Sequence, residues 1–176
     1  MSEGAQKTFT DDSVQIVLIG ATGSGKSSSG NTILGNKHFF ATTSAKSITL
    51  ECQSATVTVN GRQVTVVDTP GWDCTELSED EVAKRIRHYL QTLHGPYSFL
   101  LVIRIGSEEC DEVRKIYKLR EVLGSSYLQH TTILFSHIDN LEWETIDEFL
   151  EKRKKEFKTL LEHCKHSTSR KWAPWK

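Results

Sequence analysis

The segment Gly20-Ala21-Thr22-Gly23-Ser24-Gly25-Lys26-Ser27 has the spacing GxxxxGK[ST] and lies between an apolar run and a helix-forming run. Glycines at this spacing let backbone N–H groups turn inward around a polyphosphate, and the positive end of the following helix faces the same anion. Gly20, Thr22, Gly23, Ser24 and Gly25 are therefore candidates for a phosphate cradle. Lys26 would neutralise the outer phosphates and Ser27 would offer an oxygen to Mg2+. A glycine-rich turn with no ligand is the competing reading, and the strand-to-helix context weighs against it. A second acid is needed, because Mg2+ at a phosphate site is held partly by a carboxylate at the end of a neighbouring strand. Asp68, in Asp68-Thr69-Pro70-Gly71, is the candidate, and the Gly71 N–H could meet a terminal phosphate.

A third group of residues, Ser136-His137-Ile138-Asp139, ends the run TTILFS. Phosphate-loop GTPases carry here an Asn or Thr, a Lys, any residue and an Asp, whose carboxylate accepts two N–H bonds from the guanine edge. Adenine presents no such donor pair, so a carboxylate here favours guanine. His137 stands at the Lys position, which alters the stem that would cover the base. Asp139 could instead be an ordinary turn residue ahead of Asn140.

These groups need elements to position them. Val14 to Ile19 (VQIVLI) is a continuous β-branched and apolar run, as in a strand buried on both faces, and a helix should follow over Lys26 to Leu34, stopping near Gly35. Thr49–Val59 and Gln63–Val67 flank Asn60-Gly61, a strong hairpin signal, and put Asp68 at a strand tip. Ser78 and Glu81 form a capping-box pattern before the helical repeat Val82, Ile86, Tyr89, Leu90, Leu93. Phe99 to Ile105 predicts another buried strand, Val113, Ile116, Tyr117 and Leu123 a helix closed by Gly124, and Thr131 to Ser136 a further strand. Ile146, Phe149, Leu150, Phe157, Leu160 and Leu161 predict one long amphipathic helix, with Glu151 to Glu156 on its solvated side. The alternation implies an α/β fold of the phosphate-loop NTPase kind: three layers, a mostly parallel sheet with one antiparallel hairpin strand, and helices on both faces. Ligands in such folds bind beyond the carboxyl ends of the strands, where Gly20 and Asp68 both fall.

With 176 residues, 37% hydrophobic and 26% charged, the chain has the size and composition of one globular domain. A formal net charge of -1 gives no overall basic character of the kind nucleic-acid binding favours. The longest apolar stretch, Phe99 to Ile103, is far short of a membrane span, and Met1 to Ser13 has no signal-peptide pattern, so the expected location is cytoplasmic. Cys52, Cys74, Cys110 and Cys164 form no CxxC pair, which fits reduced thiols. His163, Cys164 and His166 lie close in sequence but lack the paired spacing of a zinc site. The expected layout is a flexible tail over 1–13, one domain over 14–165 and an unstructured basic tail over 166–176.

Taken together, the chain resembles the immunity-associated nucleotide-binding GTPases, the GIMAP family, relatives of septins and of chloroplast-envelope GTPases. The resemblance rests on GATGSGKSSSGNTILG, SAKSITLECQ, VVDTPGW, FLLVIRIG, ILFSHIDNLE and TIDEFLEKRKKEFKTLLEHC, spanning nearly everything from Val14 to Cys164. It implies a GTP/GDP switch that uses Mg2+ and pairs with itself or with related GTPases through its mobile loops, with any membrane association arising through partners. It also implies that Ser28 contacts an inner phosphate and that Thr49 is the mobile-loop threonine meeting Mg2+ and the terminal phosphate. Lys26, Ser27 and Thr49 would then stand at the reacting phosphate, Ser27, Thr49 and Asp68 at the metal, and Ser136, His137 and Asp139 at guanine.

Several positions depart from the family pattern. Ala41 stands where members usually carry a serine, and after Cys164 the sequence reads KHSTSRKWAPWK rather than the family's Tyr-His strand, Asn-bearing guanine loop and closing helix. The expectation is a C-terminally incomplete domain with an exposed sheet edge. Trp72 follows Gly71 where many GTPases place a water-orienting Gln, which predicts slow intrinsic hydrolysis. Two competing readings stay open: a nucleotide-incompetent module that binds full-length relatives, and an ATP-directed phosphate-loop enzyme, which Asp139 disfavours.

Overall fold

The computed structural model describes residues 13–41, 49–107 and 109–164, with backbone alone at 109–111. The expected tails, apart from Ser13, and the segment 42–48 lie outside the described residues, as does the His166 of the metal reading. Four strands run parallel, β1 (Val14–Gly20), β3 (Arg62–Asp68), β4 (Ser98–Arg104) and β5 (Thr131–Ser136), while β2 (Gln53–Val59) pairs antiparallel with β3. The spatial order is β2-β3-β1-β4-β5, so the sheet is mostly parallel with one antiparallel edge strand, as the alternating pattern implies. Asn60 and Gly61 both adopt positive φ, 50° and 81°, which is the backbone a tight two-residue hairpin turn requires. β2 begins at Gln53 rather than Thr49, leaving Thr49 ahead of the strand and free of its ladder.

Side chains alternate between two cores because successive strand residues face opposite ways. Leu18 and Val66 meet Leu34 of helix α1 (Lys26–Leu34) and Phe39 on one face. Val17, Ile19, Val67 and Leu101 meet the other face's helices, with Ala83 from α2 (Glu79–Leu90), Ile116 from α3 (Glu109–Leu123) and Leu160 from α5 (Lys155–His163). Each fully buried aliphatic side chain here contributes about 1.5–3 kcal/mol relative to exposure. β5 is the second sheet edge, and its Leu134 and Phe135 are half-buried.

Two local expectations are corrected. Ser78 accepts the Glu81 N–H at 3.2 Å, but the Glu81 carboxylate turns to Arg85 at 3.2 Å and the reciprocal half of the box forms instead between Thr145 and Glu148. The single long helix is two: α4 (Ile146–Glu151) and α5, separated at an extended Lys154 (ψ 156°). The apolar spacing fits one helix, but its two ends have different destinations. Phe149 packs with Ile105 and Leu141, whereas Phe157 and Leu160 enter the main core. The run Lys152-Arg153-Lys154-Lys155 places like charges three apart, which weakens a continuous helix at that point.

Parallel pairing puts the carboxyl ends of β1, β3, β4 and β5 on one rim of the sheet. Gly20, Asp68, Arg104 and Ser136 all lie there, with Gly20 opposite Val102 and Arg104 opposite Ser136.

Candidate functional site

The loop from Gly20 to Ser27 is held in shape by its glycines and neighbours. Gly23 and Gly25 take positive φ, 74° and 95°, where a side chain would be strained. Gly20 is required by proximity instead, since a Cβ there would stand 2.4 Å from the Val102 carbonyl oxygen. The loop has two recognisable ends. Thr22 lies against Gly71, where a Cβ would come within 2.3 Å of Thr22 Oγ1, and Gly25 lies beside Ser136 and His137, whose Cε1 would be 3.8 Å from a Cβ on Gly25. The first is the side of the DTPG turn and the second the side of the SHID turn, so the loop spans both expected halves of a nucleotide site.

On the first side the predicted residues meet directly. Ser27 Oγ donates to Asp68 Oδ2 at 2.6 Å and Thr49 Oγ1 reaches the same oxygen at 3.3 Å. Asp68 is 1% exposed, and burial raises its carboxyl above the usual carboxylate range, opposed by the Ser27 hydrogen bond and by Lys26. Its other oxygen, Oδ1, is buried without a hydrogen-bond partner, as are Thr22 Oγ1 and Ser24 Oγ. A buried carboxylate oxygen without a partner is costly unless a cation or donor joins it. Hydroxyl and carboxylate oxygens with no His or Cys form a hard donor set, which fits Mg2+. Among the described residues there is no cluster of three or more His, Cys, Asp or Glu, and His163 Nδ1 instead contacts the Tyr117 hydroxyl at 3.3 Å.

Lys26 is 6% exposed, with Nζ donating to the carbonyls of Gly20 at 3.0 Å and Ala21 at 2.7 Å. Burial pushes its pKa down to about 8, while Asp68, Asp73 and Cys74 pull it back up. The ammonium is thus folded onto its own loop.

On the second side, Ser136 Oγ donates to the Ser24 carbonyl at 2.6 Å and lies 3.0 Å from His137 Nδ1. A hydroxyl has one hydrogen, so with Ser24 as its acceptor the His137 Nδ1 carries the proton toward Ser136. His137 adopts positive φ, 56°, at the strand exit and opens the 3-10 turn Ile138–Leu141. Asn140 closes that turn on the Ile105 carbonyl at 2.9 Å. Asp139 is exposed on the same turn, and Ser28 is exposed in the first turn of α1, so both sit on the rim rather than within the hydrogen-bonded cluster.

Three residues that support the site were not singled out by sequence. Asn31 of α1 binds the Phe39 carbonyl and the His38 and Phe39 amides, each at 2.8 Å, fixing the chain where it leaves the core after α1. Arg85 fixes the approach to β2, donating to the Leu50 carbonyl at 2.8 Å and pairing with Glu51. Asp73 accepts the Thr22 amide. Each contact spans a sequence separation that no local pattern encodes.

Trp72 is 4% exposed in the main core, so its ring faces inward rather than toward the loop. No described helix is long and apolar enough to cross a membrane.

The chain is 33% identical over 170 residues to the GTPase IMAP family member 8 of Rattus norvegicus, covering 92% of this chain and 24% of that protein. It is 34% identical over 170 residues to immune-associated nucleotide-binding protein 5 of Arabidopsis thaliana, covering 93% and 54%. The chain therefore spans between a quarter and about half of the length of these curated relatives. The fold is that of Toc33 from Arabidopsis thaliana, solved in complex with GDP and Mg2+, with a TM-score of 0.70 at 18% identity over 90% of this chain and 65% of that one. A family model described as the AIG1 family matches residues 14–170, so the chain belongs to the AIG1 family.

Proposed function

We propose that this domain is a guanine-nucleotide switch that binds GTP and GDP with Mg2+ and hydrolyses GTP slowly. The observation that carries the reading is the junction at Asp68, where the hydroxyl of Ser27 in the glycine-rich loop and the hydroxyl of Thr49 ahead of β2 converge on one buried carboxylate. AIG1 membership, relatives named as GTPase and nucleotide-binding proteins, and the fold shared with a GDP–Mg2+ complex support it.

In this reading the amides of Gly23 to Ser28 cradle the inner phosphates at the helix N-terminus, with Ser28 on the innermost one, and Lys26 swings from the Gly20 and Ala21 carbonyls to the outer ones. Ser27, Asp68 and Thr49 would hold Mg2+, which when bound offsets charge on the outer phosphates. Gly71 stands against Thr22 at the terminal-phosphate end, so loss of that phosphate would release the following turn. At the other end Asp139 accepts the guanine N–H pair, with Ser136 and His137 tying the base turn to the loop. Slow hydrolysis follows from the buried Trp72, which presents no water-orienting amide. Self-association, or pairing with related GTPases, would use the side of the domain where Phe40 is 73% exposed.

The test is Mg2+-dependent binding of labelled GTP, challenged by unlabelled GDP and ATP, with Lys26→Ala as control. Displacement by GDP but not ATP, lost in the control, is the expected result. One observation favours the alternative of a nucleotide-incompetent interaction module: both Lys26 and the Thr22 amide are already satisfied within the chain. A folded sample that binds no nucleotide but captures a full-length relative would establish that alternative.

A further inference from the structure

Asp73 is an exposed acid that reaches back to the phosphate loop. Its carboxylate accepts the backbone N–H of Thr22, 51 residues away in sequence. The turn that presents it is anchored on both sides, by Trp72 and Cys74, each buried, and is closed by the Cys74 N–H on the Gly71 carbonyl at 3.1 Å. Gly71 in the same turn packs on Thr22 so closely that a Cβ would lie 2.5 Å from the Thr22 nitrogen. The loop's opposite end, at Gly25, faces the base turn of Ser136 and His137. Thr22 therefore marks the end of the loop farthest along the phosphate chain, and the group on its amide is an anion.

We propose that Asp73 sets the preference of this site between nucleoside diphosphate and triphosphate, by seating its carboxylate on the Thr22 amide where a terminal phosphate would otherwise bind. The inference rests on the guanine-nucleotide reading above and adds to it a residue that the motifs do not include. A diphosphate leaves the Thr22 amide to Asp73. A triphosphate must displace the carboxylate, and because Asp73 is exposed its side chain can swing into solvent while buried Trp72 and Cys74 keep the turn anchored. One acid thus occupies the place a terminal phosphate would take and biases the switch toward the diphosphate state.

The experiment titrates the full chain with Mg2+ and either fluorescent GDP or a fluorescent non-hydrolysable GTP analogue, in wild type, Asp73→Asn and Asp73→Ala. Asn keeps an acceptor for the Thr22 amide but removes the charge, so it separates electrostatics from loop shape. The expected result is that both variants tighten the triphosphate analogue about tenfold relative to GDP, as removal of a juxtaposed like charge predicts. GDP affinity should stay within about twofold, since its phosphates do not contest that amide. In parallel, the Thr22 amide resonance should keep the downfield position of a carboxylate-bonded N–H with GDP and lose it with the triphosphate. An unchanged affinity ratio in both variants with GDP binding intact would overturn the proposal and leave the guanine-nucleotide reading standing. If no variant binds guanine nucleotide, that reading fails separately, and tripolyphosphate against pyrophosphate decides Asp73: the same gain in the variants supports the role, and no gain overturns it.

Discussion

The two ends of the phosphate loop are built to different degrees of completion. At the phosphate end, Lys26, Ser27, Thr49, Asp68, Gly71 and Asp73 are drawn together from distant parts of the chain, and Asp68 and Lys26 are nearly sealed from solvent. At the base end, Ser136 and His137 are tied to the loop, but Asp139 stands exposed on a short 3-10 turn. In the proposed function the difference follows from what each end would recognise. Phosphates are held by charge and by backbone amides, which need low dielectric and a rigid frame. A base edge is read by a single carboxylate, which can wait in solvent and gain its surroundings when the base arrives. Phosphate binding should therefore supply most of the affinity and the base end most of the selectivity.

Breaking the phosphate end gives the largest expected effect. Lys26→Ala removes the buried ammonium and should cost roughly 2–5 kcal/mol in nucleotide affinity, abolishing detectable binding of GTP and GDP alike. Equilibrium titration checks this, with circular dichroism confirming that the variant is folded. Retained affinity within tenfold of wild type would mean that the loop does not bind phosphate through Lys26. Breaking the base end should instead change selectivity. Asp139→Asn leaves one acceptor where two are needed, and should weaken GDP by roughly 1.5–3 kcal/mol while sparing a xanthine nucleotide, whose C2 oxygen accepts the new amide N–H. Because Asp139 is exposed, its melting temperature should barely move. Equal loss for both nucleotides would place the base elsewhere.

The same contrast explains what the sequence made legible. The phosphate loop, β1, α1 and the Asn60-Gly61 hairpin were readable because each is specified locally, by glycine backbone freedom, apolar runs and turn chemistry. Asp68 and Ser136 were placed correctly at strand tips because parallel pairing brings all such tips to one rim. Asp73, Asn31 and Arg85 were not readable, since their partners lie in other elements and each looks like an ordinary polar residue in its own segment. The division between α4 and α5 was hidden for a related reason: the apolar spacing is continuous, and only the separate packing of Phe149 and Phe157 requires two helices. Local chemistry is written in short motifs, whereas support from a distance appears only in the folded chain.

A pH series sharpens the comparison within the phosphate end. Lys26 titrates near 8 in the free protein, and a bound polyphosphate would restore its ordinary preference for the charged form. Affinity should therefore fall about tenfold between pH 7 and pH 9, with proton uptake on binding that is largest around pH 8 and above. Calorimetry in buffers of different ionisation enthalpy measures that proton directly. Stability of the free protein should run the other way. The folded pKa of about 8 lies below the ordinary 10.5, so between these values the unfolded chain holds the extra proton and this residue's contribution to stability rises with pH. Affinity and stability moving in the same direction across that interval would show that another group controls the pH response.

The smallest expected effect lies where the two ends meet. Ser136 donates to the Ser24 carbonyl and neighbours His137 Nδ1, so it is the hydrogen-bonded link between the base turn and the phosphate loop. Ser136→Ala removes the donor to a partly enclosed carbonyl and should cost about 1 kcal/mol of stability, readable as a small shift in denaturation midpoint at unchanged slope. If the link merely braces the fold, nucleotide affinity should not change beyond that loss of stability. If it positions the base turn against the loop, GDP should weaken severalfold while pyrophosphate, which makes no use of the base turn, binds as before. The double variant Ser136→Ala with Asp139→Asn then separates the cases, because a positioning role predicts less than additive losses and independent bracing predicts additive ones. Sub-additive losses are expected here, since Ser136 ends the strand that leads directly into the turn carrying Asp139, and in the proposed function both act on the same ligand group.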